Sequence, residues 1–516
     1  MWCAPFGGTP HDPFRTAVEQ DEIESRRGTQ AFLGYVLLDN SLYPRPYSFC
    51  SSCPSFLFPM SSAVLPLPRP FAPALPPWES TFQAIIALVQ GEMGEGEAFQ
   101  LSLWAEDSQF IRFNQGKVRQ GGQVLDGALT LTWFQGDRSA HHTFPFTGQP
   151  DLDLPHCRAA LAILRQTLPQ LLPDPYLMWP QGKAHSHTVY SGDLLDPQDA
   201  ANALLEPVAG LDFVGLYAAG CCIRAQADSA GQYHWFSSDT FSLDYSCWDG
   251  AGQAVKGSYA GRQWRAADYW AKIAADRQQL QQLNQPRRTL PRGRYRTYFA
   301  PVAVAELLGA VAGSLAEASL QRGDSPLLPL RQGQQTLSPL LSLRENFGLG
   351  WVPVFNDRGE VAPQMLPLLD RGHLVNTLVS SRSAKEYGLT SNGASSGEWP
   401  RSPEILPGTL ADAEILATLD QGLYVSNLHY LNWSDRPAGR LTGMTRYACF
   451  WVEQGEIVAP IDNLRFDDSL DRFWGHNLMA LTQTQELIPE VGTYGRRALG
   501  GYRVPGMVVE DFIYTL

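Results

Sequence analysis

A chain of 516 residues with 44% hydrophobic and 18% charged residues is an ordinary globular composition, too long for one core, so two or three domains are expected. Its net charge of −13, with no run of Lys and Arg longer than pairs such as Arg287-Arg288, argues against nucleic acid and against an anionic membrane surface as partners. No stretch reaches about 18 clean apolar residues and no basic start precedes an apolar run, so neither a membrane span nor a signal peptide is expected; the eight scattered cysteines fit a reduced, cytoplasmic setting.

Residues 1–78 stand apart. Pro54, Pro59, Pro66, Pro68, Pro70, Pro73, Pro76 and Pro77 exclude helix and central strand. Cys50 and Cys53 have the spacing of half a zinc site or a redox pair, but no second pair follows. This segment is expected to be disordered, or to precede a true start at Met60.

Residues 79–195 predict an N-terminal α+β domain. Ser80 can cap a helix whose apolar face holds Phe82, Ile85, Ile86 and Val89. Phe99, Leu101 and Leu103 alternate with polar residues, Asn114-Gln115-Gly116 reads as a hairpin turn, and Leu129, Leu131 and Trp133 alternate again up to Gly136-Asp137. Pro155 opens a helix carrying Ala160, Ile163, Leu164 and Leu168. Residues 169–195 read as loop. His185 and His187 would face one way only on a strand, and no acid or thiol stands at ligand spacing near them; His141-His142 fares no better.

Residues 196–290 predict a middle domain. Ala200–Val208 reads as helix, Phe213–Tyr217 as a buried strand with Cys221–Arg224 as its partner, and Tyr233–Tyr245 as further strands. Adjacent Cys221 and Cys222 point to opposite faces of a strand and read as core thiols. Trp264–Leu283 reads as helix, and 285–293 as a linker. Residues 291–516 predict one β-rich domain with short strands, among them Trp351–Phe355, a helix over Leu410–Leu419, and a hairpin from Tyr447 through Gln454-Gly455 to Pro460.

One helix in that last domain is unusual. From Pro301 to Gly313 the chain is nearly all Ala, Val, Leu and Gly, and its single charge is Glu306. Pro301 suits a first helical turn, and a helix apolar on nearly every side is a buried one. A carboxyl in such a helix must be paired, protonated or functional.

Several collinear motifs here resemble the TldD/PmbA family of metallopeptidase-related proteins. They are Phe355-Asn356-Asp357-Arg358-Gly359-Glu360, Leu369-Asp370-Arg371-Gly372-His373-Leu374, the stretch Ser380 to Gly393, Gly422-Leu423-Tyr424-Val425, and Phe450 to Ile461. The match is strong over roughly 295–470 and weaker but compatible over 80–290. The resemblance implies an α+β fold with an N-terminal domain, a middle domain and a β-rich C-terminal domain. Active members carry His-Glu-x-x-x-His on the helix that aligns with Pro301–Gly313, and a Cys on the strand that aligns with Gly422–Val425. Two imidazoles one turn apart reach one zinc ion, and the Glu between them polarises the metal-bound water.

Here the His positions are Ala305 and Ala310, and the Cys position is Val425. Glu306 keeps the family's base position but has no metal-bound water to activate, so it is expected to be inactive. The departure is similar to the PmbA (TldE) branch. It implies a non-catalytic subunit of a zinc metallopeptidase complex acting on unfolded peptide, with zinc only in a TldD-like partner and no cofactor in this chain. Two other readings stand beside it. One is an active metallopeptidase with relocated ligands, for which His373, His429 and Asp435 are the available donors. The other is a homodimeric peptide-binding protein without catalysis.

Overall fold

The computed structural model describes residues 77–516 apart from Ala251 and Tyr494. The expectations for Cys50, Cys53 and Met60 lie outside the described residues.

Long runs of alternating residues build the first lobe. Its strands are β1 (Glu97–Asn114), β2 (Lys117–Gln135), β3 (Arg138–Pro145), β4 (His185–Tyr190), β5 (Asp212–Asp228), β6 (Tyr233–Trp248) and β7 (Ala254–Gly261). They form one sheet in the order β3-β2-β1-β5-β6-β4, with β7 also on β6. Only β4 runs parallel to its neighbour. The β1–β2 hairpin turns at Gln115 and Gly116, both at positive φ, as a two-residue turn between right-twisted strands demands. Helices α1 (Trp78–Glu92) and α2 (Pro150–Thr167) cover one face, where Phe82, Ile85 and Leu161 join Leu101, Leu131 and Trp133 in one apolar cluster. Helices α3 (Ala200–Leu205) and α4 (Ala266–Leu283) cover the other end, through Leu204, Tyr269 and Ile273.

Several expectations change here. The segments 79–195 and 196–290, read as two domains, share this sheet: β1 pairs with β5 from Gln100↔Asp228 to Phe113↔Gly215. A long strand with one uncovered edge leaves a row of unpaired amides, and β5 pairs them. Phe213–Tyr217 and Cys221–Arg224 are one strand, not two partners. His185 and His187 lie on a strand, not in a loop, because main-chain pairing with β6 outweighs the Pro-rich flanks. Pro155 sits inside α2, which begins at Pro150. Ser80 lies within α1, where its hydroxyl donates to the Pro77 carbonyl.

The second lobe holds β8 (Gly293–Phe299), β9 (Leu343–Asn346), β10 (Met365–Asp370), β11 (His373–Leu374), β12 (Pro403–Ile405), β13 (Gly422–Asp435), β14 (Arg440–Glu453), β15 (Glu456–Pro460), β16 (Arg465–Ser469), β17 (Leu478–Pro489) and β18 (Gly501–Tyr514). Their order is β11-β10-β9-β12-β18-β16-β14-β13-β8, with β15 on β14 and β17 on β18. Because β18 also pairs with β8, the run β18-β16-β14-β13-β8 closes on itself. Helix α5 (Pro301–Val311) packs on β13 and β18 and buries Ala303, Val304, Leu307, Leu308 and Val311. Each fully buried Val or Leu contributes about 1.5–3 kcal/mol, which is what holds this nearly uncharged helix in place.

Trp351–Phe355 is not a strand; Phe355 makes a single bridge to Val361. The Arg401 guanidinium donates to the carbonyls of Pro353, Val354 and Phe355, so a side chain satisfies what a neighbouring strand would have. The helix expected over Leu410–Leu419 is a 3-10 turn at Asp412–Glu414 followed by a short helix from Ile415. No helix among the described residues is long and apolar enough to cross a membrane.

Three of the contacts that join the lobes involve buried groups. Ala448 and Phe450 of β14 enter the apolar cluster of Tyr217, Tyr245 and Tyr269. The Asp357 carbonyl accepts from the amides of Gln100 at 3.3 Å and Gln226 at 2.8 Å. Arg497, 6% exposed, lies on the first sheet. Its backbone N–H reaches Glu106, and its guanidinium donates to the Ser108 hydroxyl, the Gly220 carbonyl, and the carbonyl and hydroxyl of Thr240. Gly220, at φ +141°, leaves room for the crowded sheet beneath: a Cβ there would sit 2.1 Å from the Asp107 carbonyl oxygen. Arg497→Ala strips buried acceptors of their donors and is expected to cost about 2–4 kcal/mol, read as a lower urea midpoint at unchanged slope; an unchanged midpoint would show the contact is idle.

Candidate functional site

The strand β8 ends at Phe299, and the chain turns there into α5. Up to Val425, β13 is paired on that side by β8. Beyond Val425 no strand among the described residues pairs with that edge. The β13–β14 ladder becomes irregular there, with register shifts between Val425 and Asn427, between His429 and Asn432, and between Trp433 and Asp435. Tyr430 and Tyr447 carry positive φ in this region, a conformation uncommon for bulky residues.

Glu306 of α5 fills the gap: its carboxyl accepts the Leu428 N–H. Burial pushes this carboxyl up to about 8; the Leu428 hydrogen bond and the charge of Lys256 both oppose the rise. Lys256 comes from β7 of the first lobe, where it is ion-paired with Asp244. Glu306 therefore lies where the lobes meet, β7 packing against β14 and β17.

The positions that the resemblance assigns to metal ligands are hydrocarbon. Ala305 and Val425 belong to the same buried cluster as Phe299, Leu307 and Leu308, and Ala310 packs against it. Directly across the ladder from Val425 stands Cys449, which sequence reading did not single out. The signal was available: once the Tyr447–Pro460 hairpin is paired with Leu423–Val425, counting along it brings Cys449 opposite Val425. Burial pushes the Cys449 thiol up to about 11, and it donates to the Arg446 carbonyl.

The three alternative donors are not brought together. His373 is exposed on β11, at the opposite end of the strand order from β13. Asp435 is exposed at the end of β13. His429 lies against Tyr430 with ring centroids 3.9 Å apart; burial, then Arg446, lowers its pKa, so the ring is neutral. Among the described residues no group of three or more His, Cys, Asp or Glu side chains is arranged to hold a metal ion. Zinc needs about three protein donors, and Ala305, Ala310 and Val425 supply none, so these residues do not fit a zinc ion.

Residues 292–515 match the family model described as the PmbA/TldA metallopeptidase C-terminal domain. Over that stretch the chain carries a TldD/PmbA-family domain. Metalloprotease PmbA of Escherichia coli O157:H7 is 30% identical over 204 residues, which are 36% of this chain and 43% of that relative's length. The fold extends further than the sequence likeness. A putative modulator of a DNA gyrase from Thermotoga maritima superposes with a TM-score of 0.67 at 15% identity, covering 85% of this chain and 100% of that one. TldE from Thermococcus kodakarensis superposes at 0.68 and 14% identity, covering 84% and 100%. At such identities the two structures speak for the fold, including the first lobe that the family model leaves uncovered.

Unfolded, Glu306 titrates near the ordinary value of 4.5; folded, near 8. Between these values the folded chain holds a proton that the unfolded chain has lost, so stability falls as pH rises through that window. Glu306→Gln keeps an acceptor for Leu428 and abolishes the titration. Relative to this variant, the wild type is expected to lose roughly 2–4 °C in Tm between pH 5 and pH 9 by scanning calorimetry; a constant difference would mean an unperturbed carboxyl.

Proposed function

We propose that this TldD/PmbA-family chain is the non-catalytic subunit of a zinc metallopeptidase assembly acting on unfolded peptides, paired with a TldD-like subunit that carries the metal. One observation carries the reading: Ala305, Ala310 and Val425 fill the family's ligand positions with packed hydrocarbon, while Glu306 is spent on the Leu428 N–H. A carboxyl committed to a backbone donor, with hydrocarbon where metal ligands would stand, has no metal-bound nucleophile to activate. Glu306 then acts as a brace for β13.

The reading with relocated ligands finds less support, since His373, His429 and Asp435 are dispersed. A homodimer that binds peptide without catalysis remains the competing assembly. A cytoplasmic setting belongs to the proposal: Cys157, Cys221, Cys222, Cys247 and Cys449 are all free thiols, which a reducing compartment preserves. Direct contact with DNA has no support from a chain of net charge −13.

Affinity purification of the tagged full chain from its native extract tests the proposal. A stoichiometric second subunit that carries zinc and confers cleavage of an unfolded peptide is expected. Recovery only as a monomer or homodimer, or peptide cleavage by the isolated chain, would overturn it.

A further inference from the structure

The family stretch Ser380–Gly393 does not touch Glu306, and nothing in the proposed role uses it directly. It forms one wall of a cavity of about 580 Å³ between the lobes, within the size range of small-ligand sites. The opposite wall is the first lobe's Met178–Gln181 segment, pinned in place by the second lobe: Lys385 donates to the Leu177 carbonyl at 2.8 Å, and Arg358 donates to the Met178 carbonyl.

The chemistry of the walls is uneven. Trp179, Val361 and Leu389 supply apolar surface, and Val361 and Leu389 are 47% and 39% exposed, unusually open for such residues. Ser381, Lys385 and Arg358 supply donors. The residue Ser381 is only 6% exposed, and its buried hydroxyl has no hydrogen-bond partner among the described residues. A buried hydroxyl without a partner costs free energy unless something fills its place. Lys385 spends one N–H on Leu177 and has two more to offer. One carboxylate, Glu360, also lines the cavity; it is held by Asn356 and stands 3.8 Å from Arg358. Two cations against one anion leave a single positive charge, which suits one carboxylate better than a phosphate dianion.

We infer that this cavity is a subsite for the C-terminal residue of a peptide, its carboxylate held by Ser381 and Lys385 and its apolar side chain lying against Trp179, Val361 and Leu389. Both features must sit on one short ligand, and an α-carboxylate beside an apolar side chain provides them. An Asp or Glu side chain in mid-peptide offers the charge without the apolar group. The inference rests on the peptide-handling part of the proposed function and adds the end of the peptide that is read.

Isothermal titration of the full chain tests it, with an acetylated pentapeptide ending in leucine, as the free acid and as the C-terminal amide, and with free leucine. The free acid is expected to bind about tenfold tighter than the amide, as the loss of a charge-assisted contact requires. Ser381→Ala, which removes a hydroxyl that no other group uses, is expected to weaken the acid about fivefold and leave the amide unchanged. Val361→Glu, at a half-exposed position, places a like charge at the cavity and should also weaken the acid selectively. Equal affinity for acid and amide, no binding of either, indifference to both substitutions, or tighter binding of free leucine than of the peptide would each overturn the inference. The isolated chain is titrated, so a flat result leaves the partner reading standing, and a failed co-purification leaves this result standing.

Discussion

A backbone donor on a strand edge must be satisfied, and in this protein one such donor shapes the site. Where β8 stops and α5 begins, the edge of β13 loses its neighbour, and the Leu428 N–H turns to Glu306. An unpaired buried amide costs on the order of 1–3 kcal/mol, so a carboxyl at that position is held by structure alone. The apolar helix, the irregular ladder and the meeting of the lobes at Lys256 are all arranged around that bond. Retention of the acid in a helix without ligands therefore calls for no catalytic explanation.

The hydrocarbon at Ala305, Ala310 and Val425, the positions that the resemblance assigns to ligands, also bears on the electrostatics. A divalent ion would hold a neighbouring carboxyl ionised and draw a thiol into its thiolate form. In its place stand methyl groups, and the nearby titratable side chains shift toward their neutral forms: Glu306 upward, Cys449 upward, His429 downward. Desolvation is the largest cause in all three. The site has the character of a hydrophobic core with polar residues at its margin.

Much of the fold was legible in the sequence wherever period and turn chemistry agreed. Phe99 through Trp133, the Gln115-Gly116 turn and the Tyr447–Pro460 hairpin follow the alternation directly. The helix from Pro301 follows from composition. What was not legible depends on long-range pairing. Nothing local says that β1 will pair with β5 and fuse two segments into one sheet. The carbonyls of Pro353–Phe355 pass for a strand until Arg401, far along the chain, takes them. Cys449 acquires its place opposite Val425 only through the ladder register.

The closed run of strands in the second lobe sets an order on events as the chain leaves the ribosome. Gly293–Phe299 takes its antiparallel partner from β18, so β8 and the apolar helix after it must wait for the last described strand before the ring can close. In the first lobe the open edge of β1 waits likewise for β5. Until then an apolar helix and two long strand edges stand exposed in a nascent chain, where they are open to wrong partners. Pairings between strands so far apart in sequence form slowly, which lengthens the time these edges stay open.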